Sequence, residues 1–461
     1  MSAMLLSGAF TLLCNAESAW SDTLNSAQAD PAVDAARAAA LTTPPASALA
    51  PGSEFASLQP KGFNLALPGP ADTVDPEAFG MRRALADAGI GFIGMNLFNM
   101  AYNTLQGSAR SNNGTQQYNG QTFSYTNSFI AGVTYDLSRF GIPDGQFYVA
   151  GINTTVSWAP LGPNKTSLSQ MTYYQTLFSK RLELKLGYTT NTWQFANIYV
   201  GGSLASSVFG PSGSIPIQGG MSSNSTPTPG INLKYWVTDK WYLQGAVQRS
   251  VNPDGLQAET QYNPTGFDWS TPNSGALYLG EAGYQRAPAA DRPMTWMRVG
   301  GAYNTSNFKS YEHPGTRVDH NGYLYFVGDR QLWQTHPSGA PGRGLYAGAS
   351  VMYAPPYANA VSQYYELRLY AKGIFESRPY DLISLVATDS VWGSDAIRVS
   401  QAAGNLVHRD SKAITLSWSA RLVRGVYGSL GVGYVNHPTS IAYKPETGSA
   451  LNLLGNLNIF F

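Results

Sequence analysis

KRLELKLGY, residues Lys180 to Tyr188, is the stretch that decides the fold. Successive side chains of an extended chain point to opposite sides, so Leu182, Leu184, Leu186 and Tyr188 share one face, and Arg181, Glu183 and Lys185 share the other. The same period of two recurs along the chain. Phe129, Ala131, Val133, Tyr135 and Leu137 form one apolar face, and Tyr148, Ala150, Ile152, Val156 and Trp158 another. Tyr365, Leu367, Leu369 and Ala371 oppose Glu366, Arg368, Tyr370 and Lys372. Ile414, Leu416, Trp418, Ala420 and Leu422 oppose Thr415, Ser417, Ser419 and Arg421.

Strands with one apolar and one polar face suit either a soluble sandwich or a membrane barrel with lipid outside and water inside. Length separates the two. Sandwich strands usually run about 5 or 6 residues, whereas these continue for about 9 to 11, the span a tilted strand needs to cross a bilayer. Aromatic residues recur near strand ends, at Tyr135, Tyr148, Trp158, Tyr188, Tyr303 and Tyr365, where an interfacial girdle would place them. Hydrocarbon offers no hydrogen-bond partner to an open strand edge, so such a sheet must close on itself.

Composition supports the barrel. Only 12% of the 461 residues are charged, against about 25% in soluble domains. A lipid-facing half-strand cannot carry ions, since a midplane Arg or Lys costs roughly 2–4 kcal/mol. Aromatics reach 12%, with 28 Tyr, and Gly contributes 48 residues, yet mean hydropathy is −0.19 and no window outside the N-terminus approaches a spanning helix. The net charge of +1 and the lack of a basic block argue against a nucleic-acid partner. Cys14 is the sole cysteine, so no intrachain disulfide can form.

The N-terminus reads as a secretory signal: MLLSGAFTLL, Met4 to Leu13, is apolar, and Cys14-Asn15-Ala16 offers small residues at the two positions flanking a leader-peptidase cut, giving a leader over 1–16. Residues 17–75 are rich in Ala, Ser and Pro and read as a flexible periplasmic segment. PEAFGMRRALADA, Pro76 to Ala88, reads as a short periplasmic helix opening the barrel domain of 76–461. About 370 residues follow Ala88. At around 23 residues per strand and connection they make roughly 16 antiparallel strands, a barrel wide enough to hold an aqueous channel. The expected fold is thus an all-β transmembrane barrel.

Several blocks, in order, resemble the carbohydrate-selective porins of the OprB family. RALADAGIGF (Arg83 to Phe92) resembles the family's helix entering its first strand, and SKRLELKLGYTTNTWQF (Ser179 to Phe195) a strand leading to a Phe-containing loop. LYLGEAGYQ (Leu277 to Gln285) and MTWMRVGGAYNTSNF (Met294 to Phe308) are similar to its Glu-x-Gly-Tyr and Arg-x-Gly-Gly-x-Tyr strands. FESRPYDLISL (Phe375 to Leu385) carries an Arg-Pro-x-Asp turn, and GSLGVGYVNHPT (Gly428 to Thr439) resembles the penultimate strand. The last strand, with Leu451, Leu453, Leu457, Ile459 and Phe461 on one face, resembles the signal read by the outer-membrane assembly machinery. The resemblance implies a Gram-negative outer-membrane channel, reached after Sec-type export, for passive diffusion of monosaccharides and similar polar solutes, and it permits a monomer.

A neutral sugar presents hydroxyls around its rim and apolar C–H faces, so a selective pore needs polar side chains and aromatic surfaces, whereas a charged ring would select ions. The expected lumen positions mix both signs: Arg181, Glu183, Lys185, Glu281, Arg298, Glu366, Arg368 and Lys372, with the aromatics Trp296 and Tyr370. Each charge has an alternative reading as a structural ion pair of the wall, and Trp296 one as a packing residue. Catalysis finds little support. Gly89-Ile90-Gly91-Phe92-Ile93-Gly94 fits GxGxxG, but the helix precedes it and a strand follows, the reverse of a dinucleotide site. The five histidines show no pair at metal-ligand spacing, and no nucleophile elbow or phosphate loop occurs. No cofactor or metal is expected. The rival readings are a barrel exporting a polysaccharide or other cargo, and a secreted all-β glycan-binding protein.

Overall fold

The computed structural model describes residues 53–64, 69–105, 123–157, 164–196, 215–437 and 449–461. The signal segment 1–16, most of the 17–75 segment and Trp158 lie outside them. The described strands are β1 (Ile90–Asn103), β2 (Ser124–Asp136), β3 (Gln146–Val156), β4 (Lys165–Leu177), β5 (Leu182–Thr189), β6 (Thr228–Trp236), β7 (Trp241–Arg249), β8 (Ala276–Arg286) and β9 (Thr295–Asn304). They continue with β10 (Phe308–Lys309), β11 (Arg317–Val318), β12 (Asn321–His336), β13 (Ala340–Tyr353), β14 (Val361–Lys372), β15 (Leu382–Trp392), β16 (Asp410–Val423), β17 (Val426–Asn436) and β18 (Ser449–Phe460). The short β10 and β11 pair only with each other; the other sixteen strands form one closed antiparallel ring, as the chain length predicts.

Closure is made by β1 against β18, in a register running from Met95 opposite Phe460 to Asn103 opposite Asn452. No edge is left to the hydrocarbon. The two ends of the barrel differ. One carries short turns, such as Arg424-Gly425 between β16 and β17, together with the helix Met81–Asp87. The other carries the long connections, including residues 190–227 and 250–275. Short turns on the periplasmic side and long loops outside are the usual polarity of these barrels. The helix is fixed onto the first strand by Arg82, which donates to the carbonyl of Phe92 at 3.1 Å and lies 4.0 Å from the centroid of its ring.

The outer face is the apolar one. Leu186, Leu367, Leu369, Leu416, Trp418, Leu453 and Leu457 stand exposed on it, while Lys185, Glu366, Arg368, Thr415, Ser417 and Asn456 are buried inside. Two expectations fail. In β3 the face that holds Tyr148, Ala150 and Ile152 turns inward and is buried, and Phe147, Val149 and Gly151 point out. Tyr148 is therefore not a girdle residue. Leu137 leaves the β2 pattern and starts the turn Leu137–Phe140. The reason in β3 is that both faces are apolar, because the inner one packs with Ile93, Met95, Leu97 and Ile130 under Trp193 and Phe63.

Phe63 belongs to the segment expected to be flexible in the periplasm. Residues 53–64 instead lie against the inner wall, with Phe55 and Leu58 buried.

Candidate functional site in the lumen

The connection between β5 and β6 folds inward. Its helix Ile215–Gln218 places Ile215 in a buried cluster with Tyr323, Tyr325, Val327, Met352, Tyr364 and Trp392 of the inner wall. Gln218 and Val361 exchange hydrogen bonds across this contact. Gln194, Phe195 and Ala196, at the start of the same loop, cover the wall of β7 and β8, while Trp193 packs with Phe63 over β1–β3.

Under that loop the wall carries a continuous polar network. The Glu281 carboxylate accepts from Tyr242 Oη at 2.9 Å, Gln244 Nε2 at 2.8 Å, Tyr325 Oη at 2.7 Å and the Ala196 amide at 3.3 Å. Trp296 Nε1 donates to Tyr242 Oη at 3.0 Å, and the Arg298 guanidinium lies 3.6 Å from the Trp296 ring centroid. Asp329 then holds Arg298 at 3.2 Å and Arg368 at 3.0 Å. Arg368 also pairs with Glu366 and donates to Ser350 Oγ at 2.6 Å. Tyr370 donates to Asp329 at 3.2 Å and stacks on Tyr346, ring centroids 5.0 Å apart. Charges in so dry a setting are tolerated only when paired and hydrogen-bonded.

A second cluster is smaller and more open. Glu183 accepts from Tyr174 Oη at 3.1 Å and Trp236 Nε1 at 2.7 Å. Lys185 Nζ lies 4.0 Å from the Phe63 ring centroid, and Lys234 Nζ donates to Asn64 Oδ1 at 3.0 Å. Asn232 donates to Asn191 Oδ1 at 2.5 Å and to Gln194. Glu183, Lys185, Asn232 and Lys234, with Gln194 and Gln244, line a cleft of about 20 Å³, room for one water.

Six of the ten residues expected in the lumen therefore join one buried network: Glu281, Trp296, Arg298, Glu366, Arg368 and Tyr370. The side chains of Arg298, Glu366 and Arg368 are 0% exposed, so they are wall ion pairs and not solvated pore charges. Glu183 and Lys185 meet in the second cluster. Lys372 is half-buried at the short-turn end of β14, two residues beyond Tyr370. Arg181 is exposed in the turn before β5, outside the strand and not on its inner face. Sequence reading missed Asp329, Lys234, Asn232, Gln244 and the loop residue Gln194. Lys234 and Gln244 alternate with the outward Leu233, Tyr235 and Leu243, a signal of the kind used for β5. Asp329 gave none, because both faces of its strand carry apolar residues, Tyr323, Tyr325 and Val327 inside and Leu324 and Phe326 outside.

The family model for carbohydrate-selective porins of the OprB family matches residues 94–440. No curated protein matches the chain. The high-pH structure of Pseudomonas putida OprB aligns with a TM-score of 0.69 at 17% identity, covering 85% of this chain and 98% of that one. The low-pH structure of the same protein aligns with a TM-score of 0.52 at the same identity and coverage. At that identity the structures speak for the fold, and the family match, spanning most of the barrel, for the lineage. The chain belongs to the carbohydrate-selective porin, OprB family.

Proposed function

We propose that this barrel lets monosaccharides and similar polar solutes diffuse across the Gram-negative outer membrane, without energy coupling and as a channel, not an enzyme. The observation that carries the reading, beside the family, is the neutralisation of the wall. Arg298, Arg368, Asp329 and Glu366 cancel one another, and Glu281 is held by the neutral donors Tyr242, Gln244, Tyr325 and the Ala196 amide. Among the described residues no ring of single-sign charge faces the lumen to select ions. The second cluster mixes amides, Glu183, Lys185 and Lys234 with Trp236 and Phe195, so it too carries both signs, and polar groups with aromatic surfaces of this kind suit hydroxyl rims and C–H faces. Weak, exchangeable contacts of this kind allow passage where tight ones would block it. The outward-facing Leu457 and Phe461 support recognition by the assembly machinery, and the exposed apolar band supports a lipid surround. Export through a Sec-type leader over 1–16 is part of the same reading.

The test is ion current through the purified protein in planar bilayers, with a sugar panel. Glucose should reduce the current in a saturable way. If glucose has no effect at any concentration while another solute class reduces the current, the carbohydrate assignment fails and the exporter reading gains.

A further inference from the structure

The stretch from Leu58 to Asn64 is bound to the inner wall through its whole length. Thr134 Oγ1 donates to the Leu58 carbonyl at 2.5 Å, and Gln146 donates to the Gln59 carbonyl at 3.0 Å while accepting from the Lys61 amide at 2.9 Å. The Gly62 carbonyl accepts from Gln194 Nε2 at 2.6 Å and from Lys185 Nζ at 3.4 Å. Phe63 sits 5.3 Å from Trp193 and 6.3 Å from Tyr148, centroid to centroid. Asn64 donates to the Gln194 carbonyl and accepts from Lys234. Gly62 adopts φ +76°, and a Cβ there would come within 2.7 Å of Tyr174. The sequence is thus fitted to the wall at this point, since only glycine takes that conformation and that approach together.

The next anchor is across the barrel. Asp72 pairs with Arg421 of β16 at 2.6 Å, and β16 stands eight strands from β6, which carries Lys234, in either direction around the ring. The two anchors, 64 and 72 in the sequence, are therefore on opposite walls. We propose that Leu58–Asn64 is a resident strap along the inner wall of the channel: it occupies Lys185, Gln194 and Lys234, groups a polar solute would otherwise use, and so sets conductance and the upper size of what passes. This deepens the channel reading and rests on it for the solute, though not for the ion current.

The experiment uses the full chain in planar bilayers and liposomes. The variant Phe63→Gly/Asn64→Gly removes the ring and the amide anchors, and heat-modifiable gel mobility reports whether the barrel has formed. Single-channel conductance in potassium chloride should rise at least twofold, and liposome swelling should admit oligosaccharides that the unaltered protein excludes. A folded variant with unchanged conductance and size limit overturns the strap. A second form covers loss of folding: Phe63→Cys in a Cys14→Ala background, treated with a membrane-impermeant thiol reagent, should show a stepwise conductance change. No change on complete labelling overturns the proposal equally. If conductance rises but glucose blocks neither protein, the strap stands and the carbohydrate reading falls.

Discussion

Asp329 of β12 and Arg368 of β14 meet at 3.0 Å across the strand that separates them. Their register partner on β13 is Gly348, opposite both. A Cβ on Gly348 would lie 2.3 Å from the Asp329 carboxylate and 2.8 Å from the Arg368 guanidinium. The absent side chain is what lets two strands' charges bridge over a third.

Removing Asp329 leaves Arg298 and Arg368 buried without their shared counter-ion. Breaking one side of a buried pair typically costs about 3–5 kcal/mol, so Asp329→Ala should lower the unfolding free energy of the barrel in lipid or detergent by an amount of that order, read as a lower urea midpoint at unchanged slope. Gly348→Ala should act in the same direction by forcing the pair apart. An unchanged midpoint in both would mean the wall does not depend on this network.

Facing can be tested on β5. Leu186 lies mid-strand and Leu182 beside the turn, both on the outer face. Arginine on the lipid side costs roughly 2–4 kcal/mol at the midplane and about 0–1 near the interface. Leu186→Arg should therefore impair folding into vesicles far more than Leu182→Arg. Equal effects would contradict the outward placement of this face.

The long loops are tied by charge. Asp254 pairs with Arg317 at 2.8 Å and Lys309 at 3.3 Å, joining the 250–275 connection to the β10–β11 hairpin. Partial burial pushes its carboxyl up, but hydrogen bonds and charge from Arg317 and Lys309 outweigh that and hold it below the ordinary aspartate range. A carboxylate whose folded pKa is depressed contributes stability above its unfolded value, about 3.9, and loses it as pH falls through the lower folded value. Amide protection of the hairpin should stay level from pH 7 to 5 and decline below about pH 4. In Asp254→Asn that acid-induced decline should be absent, as protection measured by hydrogen exchange would show.

The period-two face of Leu182, Leu184 and Leu186 was enough to fix strand, lipid side and barrel, because an ion in hydrocarbon is costly wherever it occurs along the chain. The strand number followed from length. The interior was harder to read. β3 has two apolar faces, and nothing local tells Tyr148 from Phe147; only the arrival of Phe63 and Trp193, distant in sequence, makes the Tyr148 face the inner one. Likewise Arg298, Glu366 and Arg368 were legible as inward charges, but their burial depends on an infolded loop, and their pairing on an Asp329 that no spacing linked to them. Where one face of a strand is polar, as in β5 and β14, side-chain chemistry alone assigned the half that meets lipid. The tertiary structure decided what fills the hollow, because that is set by contacts between residues brought together only when the ring closes.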